Sequence, residues 1–163
     1  MSRLDSFIRR LEAQRACLDR AAQLVADLSG PVLELGLGNG RTYDHLRRVL
    51  PERAIYVFER RVAAHPDCVP PPETLILGDL RKTLAAARAR FAGTAALAHM
   101  DVATGDTGAS LALAAALAPM LALLLRQGAV VVSEPPLEVP GWTALDLPDG
   151  VAAGRYHLYR VSG

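Results

Sequence analysis

The sequence predicts an α/β fold: a mostly parallel sheet with helices on both faces, an antiparallel hairpin at its C-terminal edge and an amphipathic helix in front of it. Three observations predict it. Short apolar runs alternate with helical stretches along residues 30 to 133. Those runs are apolar throughout rather than at every second residue, as strands buried on both faces require. The stretch from 134 onward is too short and proline-rich for another crossover helix, so its strands must return antiparallel.

Taken in order, Leu4, Phe7, Ile8, Leu11, Leu18, Ala21, Ala22, Val25 and Leu28 recur at helical spacing with charged residues between them, predicting one long helix or two over residues 3 to 28. Ser29-Gly30-Pro31 stops it, and residues 32 to 35 (VLEL) form a first strand that runs into a glycine loop. Thr42 is positioned to cap the following helix, with Asp44 adding favourable charge near its start. Residues 54 to 58 (AIYVF) make a second strand ending on Glu59, and the proline-bearing stretch 60 to 73 leaves room for only a short helix. Residues 74 to 77 (TLIL) make a third strand, ending in Gly78 and Asp79. A helix over Leu80 to Phe91, a fourth strand at 95 to 100 ending on Asp101, an apolar helix over 111 to 127 and a fifth strand at 129 to 133 complete the alternation. Residues 142 to 147 and 155 to 161 form the closing hairpin. The whole, 1-163, reads as a single domain made of an N-terminal helical segment 1-29, a core 30-133 and a hairpin 134-163.

The composition narrows the function classes. Eighteen basic residues against 17 acidic ones give a net charge of +1 with no basic stripe, so nothing calls for a nucleic-acid partner. Cys17 and Cys68 lack ligand-type spacing to each other or to the histidines, which argues for free thiols rather than a disulfide or zinc site. The N-terminus lacks the apolar core of a secretory signal, and the apolar stretch 111 to 125 is interrupted by Pro119 and too short to span a membrane. A cytoplasmic protein is expected. Lys82 is the only lysine, and this preference for Arg, together with the abundance of Ala, points to a bacterial source of high GC content.

Ligands of open parallel sheets sit beyond the carboxyl ends of the strands, and four of the five predicted parallel strands carry an acidic or glycine feature at that end. These are the stretch Glu34 to Gly40, then Glu59, Gly78 with Asp79, and Asp101. The first, ELGLGNG, sets an acidic residue two positions before a GxGxG, whereas a dinucleotide fingerprint would need its third glycine where Arg41 stands. In these motifs and their order, residues 30 to 133 resemble the class I S-adenosylmethionine-dependent methyltransferases.

The resemblance implies a Rossmann-like three-layer sandwich and S-adenosyl-L-methionine as cofactor, with S-adenosyl-L-homocysteine as product. It implies that Glu34 meets the cofactor's ammonium, while Gly36, Gly38, Asn39, Gly40, Arg41 and Thr42 supply a close-approaching turn and backbone N–H groups for its carboxylate. Glu59, with Arg60 beside it, matches the position that accepts the ribose hydroxyls. Gly78 and Asp79 match the adenine amino site, with the Leu80 N–H for a ring nitrogen, and Asp79 could equally cap the helix from Leu80. Asp101 is the candidate catalytic residue, orienting or deprotonating an acceptor, or touching only the cofactor.

Methyl transfer from a sulfonium is an in-line displacement with a good leaving group, so the protein mainly positions a nucleophile. The sequence DVATGD at 101 to 106 departs from the Asn/Asp-Pro-Pro-Tyr motif of amino-methylating subfamilies. SEPP after strand five lacks the Asp-Asn pair of metal-dependent catechol-type members, which argues against a catalytic metal. His99 is read as a satisfied core histidine, and Tyr156, His157 and Tyr159 as packing residues. Tyr43 is read as either a pocket wall or a helix-surface residue. The acceptor is expected to be a small molecule, recognised by the N-terminal helix through Arg10, Gln14 and Arg15, by the loop at 134 to 141, by the loop at 103 to 108 or by a second subunit. Leu4, Leu11, Leu18 and Val25, spaced by seven, fit either a lid over the protein's own domain or helix pairing in a homo-dimer. A non-catalytic cofactor-binding module and an aminopropyl-transferring relative are the alternative functions.

Overall fold

The computed structural model describes residues 1–162. Seven strands form one sheet: β1 (Val32–Leu35), β2 (Ile55–Glu59), β3 (Leu75–Leu77), β4 (Ala95–Met100), β5 (Leu125–Ser133), β6 (Trp142–Ala144) and β7 (His157–Val161). Their order is β3-β2-β1-β4-β5-β7-β6. The first five pair in parallel, and β7 runs antiparallel between β5 and β6. The expected mostly parallel sheet with an antiparallel hairpin is thus present, the hairpin inserting its second strand next to β5. The order reverses between β1 and β4, which opens a crevice at their carboxyl ends.

Strand alternation divides the core into two apolar layers. Leu33, Leu35, Phe58, Ala98, Met100 and Val131 face the helices α3 (Leu80–Phe91) and α4 (Thr107–Ala122). Val32, Val57, Leu97, Val130 and Val132 face α1 (Arg3–Leu24) and α2 (Arg41–Val49). β1 and β4 are buried along their whole length, which is why they read as unbroken apolar runs.

α1 is one helix, closed at its start by a reciprocal cap in which Ser2 and Asp5 bond each other's backbone N–H. It ends at Leu24, and Leu28 lies in the turn that follows. Of the residues spaced by seven, Leu18 and Val25 are buried in the protein's own core and Leu11 lies at the edge of a cleft, while Leu4 is exposed. The helix therefore covers its own sheet, lying against β4, β5, β7 and α2.

Three local expectations are corrected. α2 begins two residues earlier than a Thr42 cap would require: Gly40, with φ +86°, is its N-cap and makes no side-chain cap, so the Thr42 hydroxyl is free to point elsewhere. α4 spans Thr107–Ala122 rather than 111 to 127, because Asp106 Oδ1 accepts from Ala109 N–H at 2.7 Å and fixes an earlier start. It ends early because Leu125 is already paired with Ala95, so the leucine run that looked helical supplies the first residues of β5. Tyr43 is buried in the α1/α2 layer, forming neither a pocket wall nor a helix surface. Pro119 is accommodated inside α4 on its exposed side. No helix among the described residues is long and apolar enough to cross a membrane.

The layering gives a contrast between two leucines two residues apart. Leu121→Ala empties a fully buried site under α4, whereas Leu123, half exposed, sits beyond its end. Urea unfolding should show Leu121→Ala costing about 3 kcal/mol and Leu123→Ala less than about 0.5 kcal/mol.

Candidate functional site

A cleft of about 570 Å³ opens at the carboxyl ends of β1, β2 and β4. Its floor is the glycine loop. Gly36, Gly38 and Gly40 all have positive φ, at +88°, +52° and +86°. A Cβ on Gly36 would stand 2.4 Å from the Asp101 carbonyl oxygen and one on Gly40 would stand 2.5 Å from the Cys68 Cβ, so these two glycines are demanded by close packing of the loop. Gly38 has open space where its Cβ would be and lines the cleft, so its lack of a side chain leaves room for whatever the cleft holds.

Glu59, at the end of β2, ties this loop to its neighbour. Its Oε2 accepts from the backbone N–H of Leu37 at 2.7 Å and of Gly38 at 3.2 Å, and its Oε1 accepts from Arg60 N–H at 2.6 Å and Arg61 N–H at 3.3 Å. The carboxylate lines the cleft together with Asn39, Arg41, Thr42, Arg60 and Leu80. Gly78 and Asp79 lie outside that lining; Asp79 caps α3, its Oδ1 accepting from Lys82 N–H at 3.2 Å.

Glu34 lies behind the wall of the cleft. The parallel pairing of β1 and β4 sets Glu34 opposite His99, both on the α1/α2 face of the sheet, and both side chains are fully buried. Glu34 Oε2 is 2.9 Å from His99 Nδ1, and its Oε1 accepts a short hydrogen bond from the Thr42 hydroxyl. Thr42, not Glu34, is the residue of this pair that reaches the cleft. His99 Nε2 is 3.0 Å from the Tyr156 hydroxyl, so both ring nitrogens have partners, as a core histidine should.

Asp101, one residue past β4, lines the cleft with about a fifth of its side chain exposed. α1 delivers two residues to it from one helical face, four positions apart. Arg10 Nη2 lies 3.3 Å from both Asp101 carboxylate oxygens, while its Nε and Nη2 donate to Glu134 at 2.6 and 3.0 Å. Gln14 Nε2 donates to Asp101 Oδ2 at 3.0 Å and to the Tyr156 hydroxyl at 2.7 Å. Arg15, a hundred degrees further round the helix, is exposed and lies outside the cleft. Tyr156 is therefore more than packing: its ring is buried, and its hydroxyl joins α1 to β4. Arg61, Ala63, Val102 and Leu113, singled out by no motif in the sequence, line the cleft, and Glu134 begins the loop at 134 to 141 that the sequence offered for acceptor recognition.

The electrostatics follow from this burial. For His99, burial disfavours the imidazolium, but the Glu34 carboxylate bonded to it, with Asp101 and Glu134 further off, outweighs that cost and raises its pKa above the ordinary histidine value. Burial, with Asp101 close by, holds the Tyr156 phenol protonated well above its usual range. Burial also pushes the thiol of free Cys17 up to about 11. The folded chain thus binds a proton at His99 more tightly than the unfolded chain does, so this site contributes most below the unfolded pKa of about 6.5 and less as pH rises through the higher folded value. The stability advantage of wild type over His99→Gln should shrink across that rise, which urea unfolding of both proteins between about pH 6 and pH 9 would measure.

Comparison with known proteins bears on the fold and the family. Residues 1–161 match the model of a family described as S-adenosyl-L-methionine methyltransferase. The crystal structure of an S-adenosyl-L-methionine methyl transferase from Silicibacter pomeroyi DSS-3 is 48% identical, with 99% of each chain covered and a TM-score of 0.95. At the level of fold alone, similar structures include human methyltransferase-like protein 13 in complex with SAH (12% identity, 94% of this chain and 81% of that chain, TM-score 0.59). A putative caffeoyl-CoA O-methyltransferase from Staphylococcus aureus is another (12% identity, 90% and 82% covered, TM-score 0.55). A search of curated proteins finds no significant match. With its fold and nearly all of its length matched in this way, the chain belongs to the S-adenosyl-L-methionine methyltransferase family.

Proposed function

We propose that the cleft binds S-adenosyl-L-methionine between Glu59 and Asp101 and directs its methyl group to a small-molecule acceptor in a bacterial cytoplasm. The observation that carries the reading is the cleft itself: a glycine loop with room at Gly38, at the switch point of the sheet, with a carboxylate at either end. The bound cofactor supplies an electrophilic methyl on a sulfonium; the protein's own residues bind, orient and shield.

Glu59 is the candidate partner for the ribose hydroxyls, its carboxylate already aimed by backbone N–H groups on both sides. Leu80 offers an apolar wall and its backbone N–H for the adenine ring; Gly78 and Asp79 support this through the start of α3 rather than by contact. The N-cap Gly40 supplies no side chain to the first turn of α2, and the Arg41 N–H has only a long bond, to Asn39 Oδ1 at 3.4 Å, so the N–H groups of Arg41 and Thr42 suit the cofactor's carboxylate.

For the ammonium we assign Asp101 in place of Glu34. Glu34 has both oxygens engaged by Thr42 and His99 and no exposure to the cleft. Asp101 and Glu134 carry two negative charges against the single guanidinium of Arg10, so this end of the cleft has one negative charge in excess, the complement of one ammonium. Glu34 then acts by fixing Thr42 and the start of α2. With Arg10 and Gln14 already bonded to it, Asp101 serves to orient groups at the reacting centre.

Isothermal titration with S-adenosyl-L-homocysteine tests the reading. Asp101→Asn and Glu59→Gln should each weaken binding by about tenfold or more, consistent with a charged hydrogen bond worth roughly 1.5–3 kcal/mol. Glu34→Gln should weaken it less while lowering the unfolding midpoint more. Equal loss in Glu34→Gln and Asp101→Asn would return the ammonium to Glu34, and NAD binding without S-adenosyl-L-homocysteine binding would reject the cofactor.

A further inference from the structure

One unbroken line of hydrogen bonds joins two residues of the cleft lining, Asp101 and Thr42, through the protein interior. It runs from Asp101 to Gln14, from Gln14 to the Tyr156 hydroxyl, on to His99, to Glu34 and finally to Thr42 in the first turn of α2. It draws on α1, β1, β4, α2 and the approach to β7, and Tyr156, His99 and Glu34 are nowhere in contact with the cleft.

Chemistry fixes the direction of every bond in this line except the one between His99 and Tyr156, where the donor changes with the protonation of the imidazole. The Asp101 carboxylate can only accept, so Gln14 must present Nε2 to it, and the second hydrogen on Nε2 goes to the Tyr156 oxygen. That orientation leaves Gln14 Oε1 without a partner among the described residues. No fully buried side-chain nitrogen or oxygen among the described residues lacks one, so Oε1 reaches solvent, where it adds a second acceptor beside Asp101. His99 keeps Nδ1–H on Glu34 in either protonation state, while its Nε2 faces the phenol. Removing the phenol oxygen alone would free the Gln14 amide to rotate, which shifts both the donor held on Asp101 and the acceptor next to it.

We infer that Tyr156 and His99 are positioning residues: they set the Gln14 amide and, through it, the orientation of Asp101 toward the cofactor's ammonium, and they link that orientation to the glycine loop at Thr42. This rests on the cofactor reading above and adds residues to it that never touch the ligand.

The test is a double-mutant cycle on the full chain, read as affinity for S-adenosyl-L-homocysteine. Tyr156→Phe keeps the buried ring and loses only the hydroxyl. If it acts through Asp101, it should weaken binding about tenfold in the wild-type background and less than about twofold in the Asp101→Asn background, a coupling in the range found for residues of one network. Gln14→Met, which keeps the helix and the side-chain volume while removing both donors, should show the same dependence on Asp101. Thermal unfolding of each variant establishes that it is folded at the titration temperature.

Equal losses in both backgrounds would mean that Tyr156 supports the fold in general, and this would overturn the inference. Wild-type affinity in Tyr156→Phe would overturn it as well. A wild-type chain that binds no S-adenosyl-L-homocysteine would instead overturn the cofactor reading, and the inference with it.

Discussion

The interaction on which the rest of the site depends is the buried pair of Glu34 and His99. A carboxylate removed from water costs several kcal/mol unless other groups replace its hydration. Here the replacement is complete: imidazole on one oxygen, threonine hydroxyl on the other. The pair exists because β1 and β4 are neighbours in this register, with Glu34 opposite His99. A slip of β1 by one residue would turn Glu34 to the other face, where Leu33, Leu35, Ala98 and Met100 now form an apolar layer, and would leave His99 without its carboxylate. The pair therefore enforces the register at the point where the strand order reverses, which is where the cleft opens.

From that fixed point two consequences spread. Toward the loop, the bond to Thr42 secures the first turn of α2, whose N-cap, Gly40, has no side chain to do so. Toward the sheet's far side, the bond from His99 to Tyr156 recruits the residue just before β7, and Gln14 carries the network on to α1. The antiparallel hairpin thus does more than close an edge. It brings a phenol from the C-terminal part of the chain under a helix from its N-terminal part, and the pair meets above β4.

Much of this was legible in the sequence, for identifiable reasons. Parallel strands buried on both faces produce apolar runs that stand out, and an acidic or glycine residue at each strand end survives as a linear signal because it directly follows the run. Hence the sheet, the glycine loop, Glu59 and Asp101 could all be read off. What could not be read was set by pairing between distant segments. Whether Glu34 faces the cleft or the core depends on its register with a residue 65 positions away. The Arg10–Glu134 contact spans 124 positions and the Gln14–Tyr156 contact 142, with no local pattern to announce either. Residues 123 to 125 are leucines, equally apt for a helix end or a buried strand, and only the bond from Ala95 N–H to the Leu124 carbonyl decides between them.

The two ends of α1 are held by different forces, and this bears on how the cleft can be entered. Its C-terminal half buries Cys17, Leu18, Ala21 and Ala22 against the sheet and is fixed by apolar contact, which is insensitive to what occupies the cleft. Its first turns expose Leu4, Phe7 and Ile8 and are tied to the sheet chiefly through Arg10 and Gln14, by polar bonds to Asp101, Glu134 and Tyr156. Polar bonds at a partly exposed site are each worth about 1 kcal/mol net, so the first turns can part from the cleft at modest cost while the second half stays in place. The helix is thus a wall whose inner end is held by apolar contact and whose outer end is held by polar bonds, two of them to Asp101 in the cleft lining.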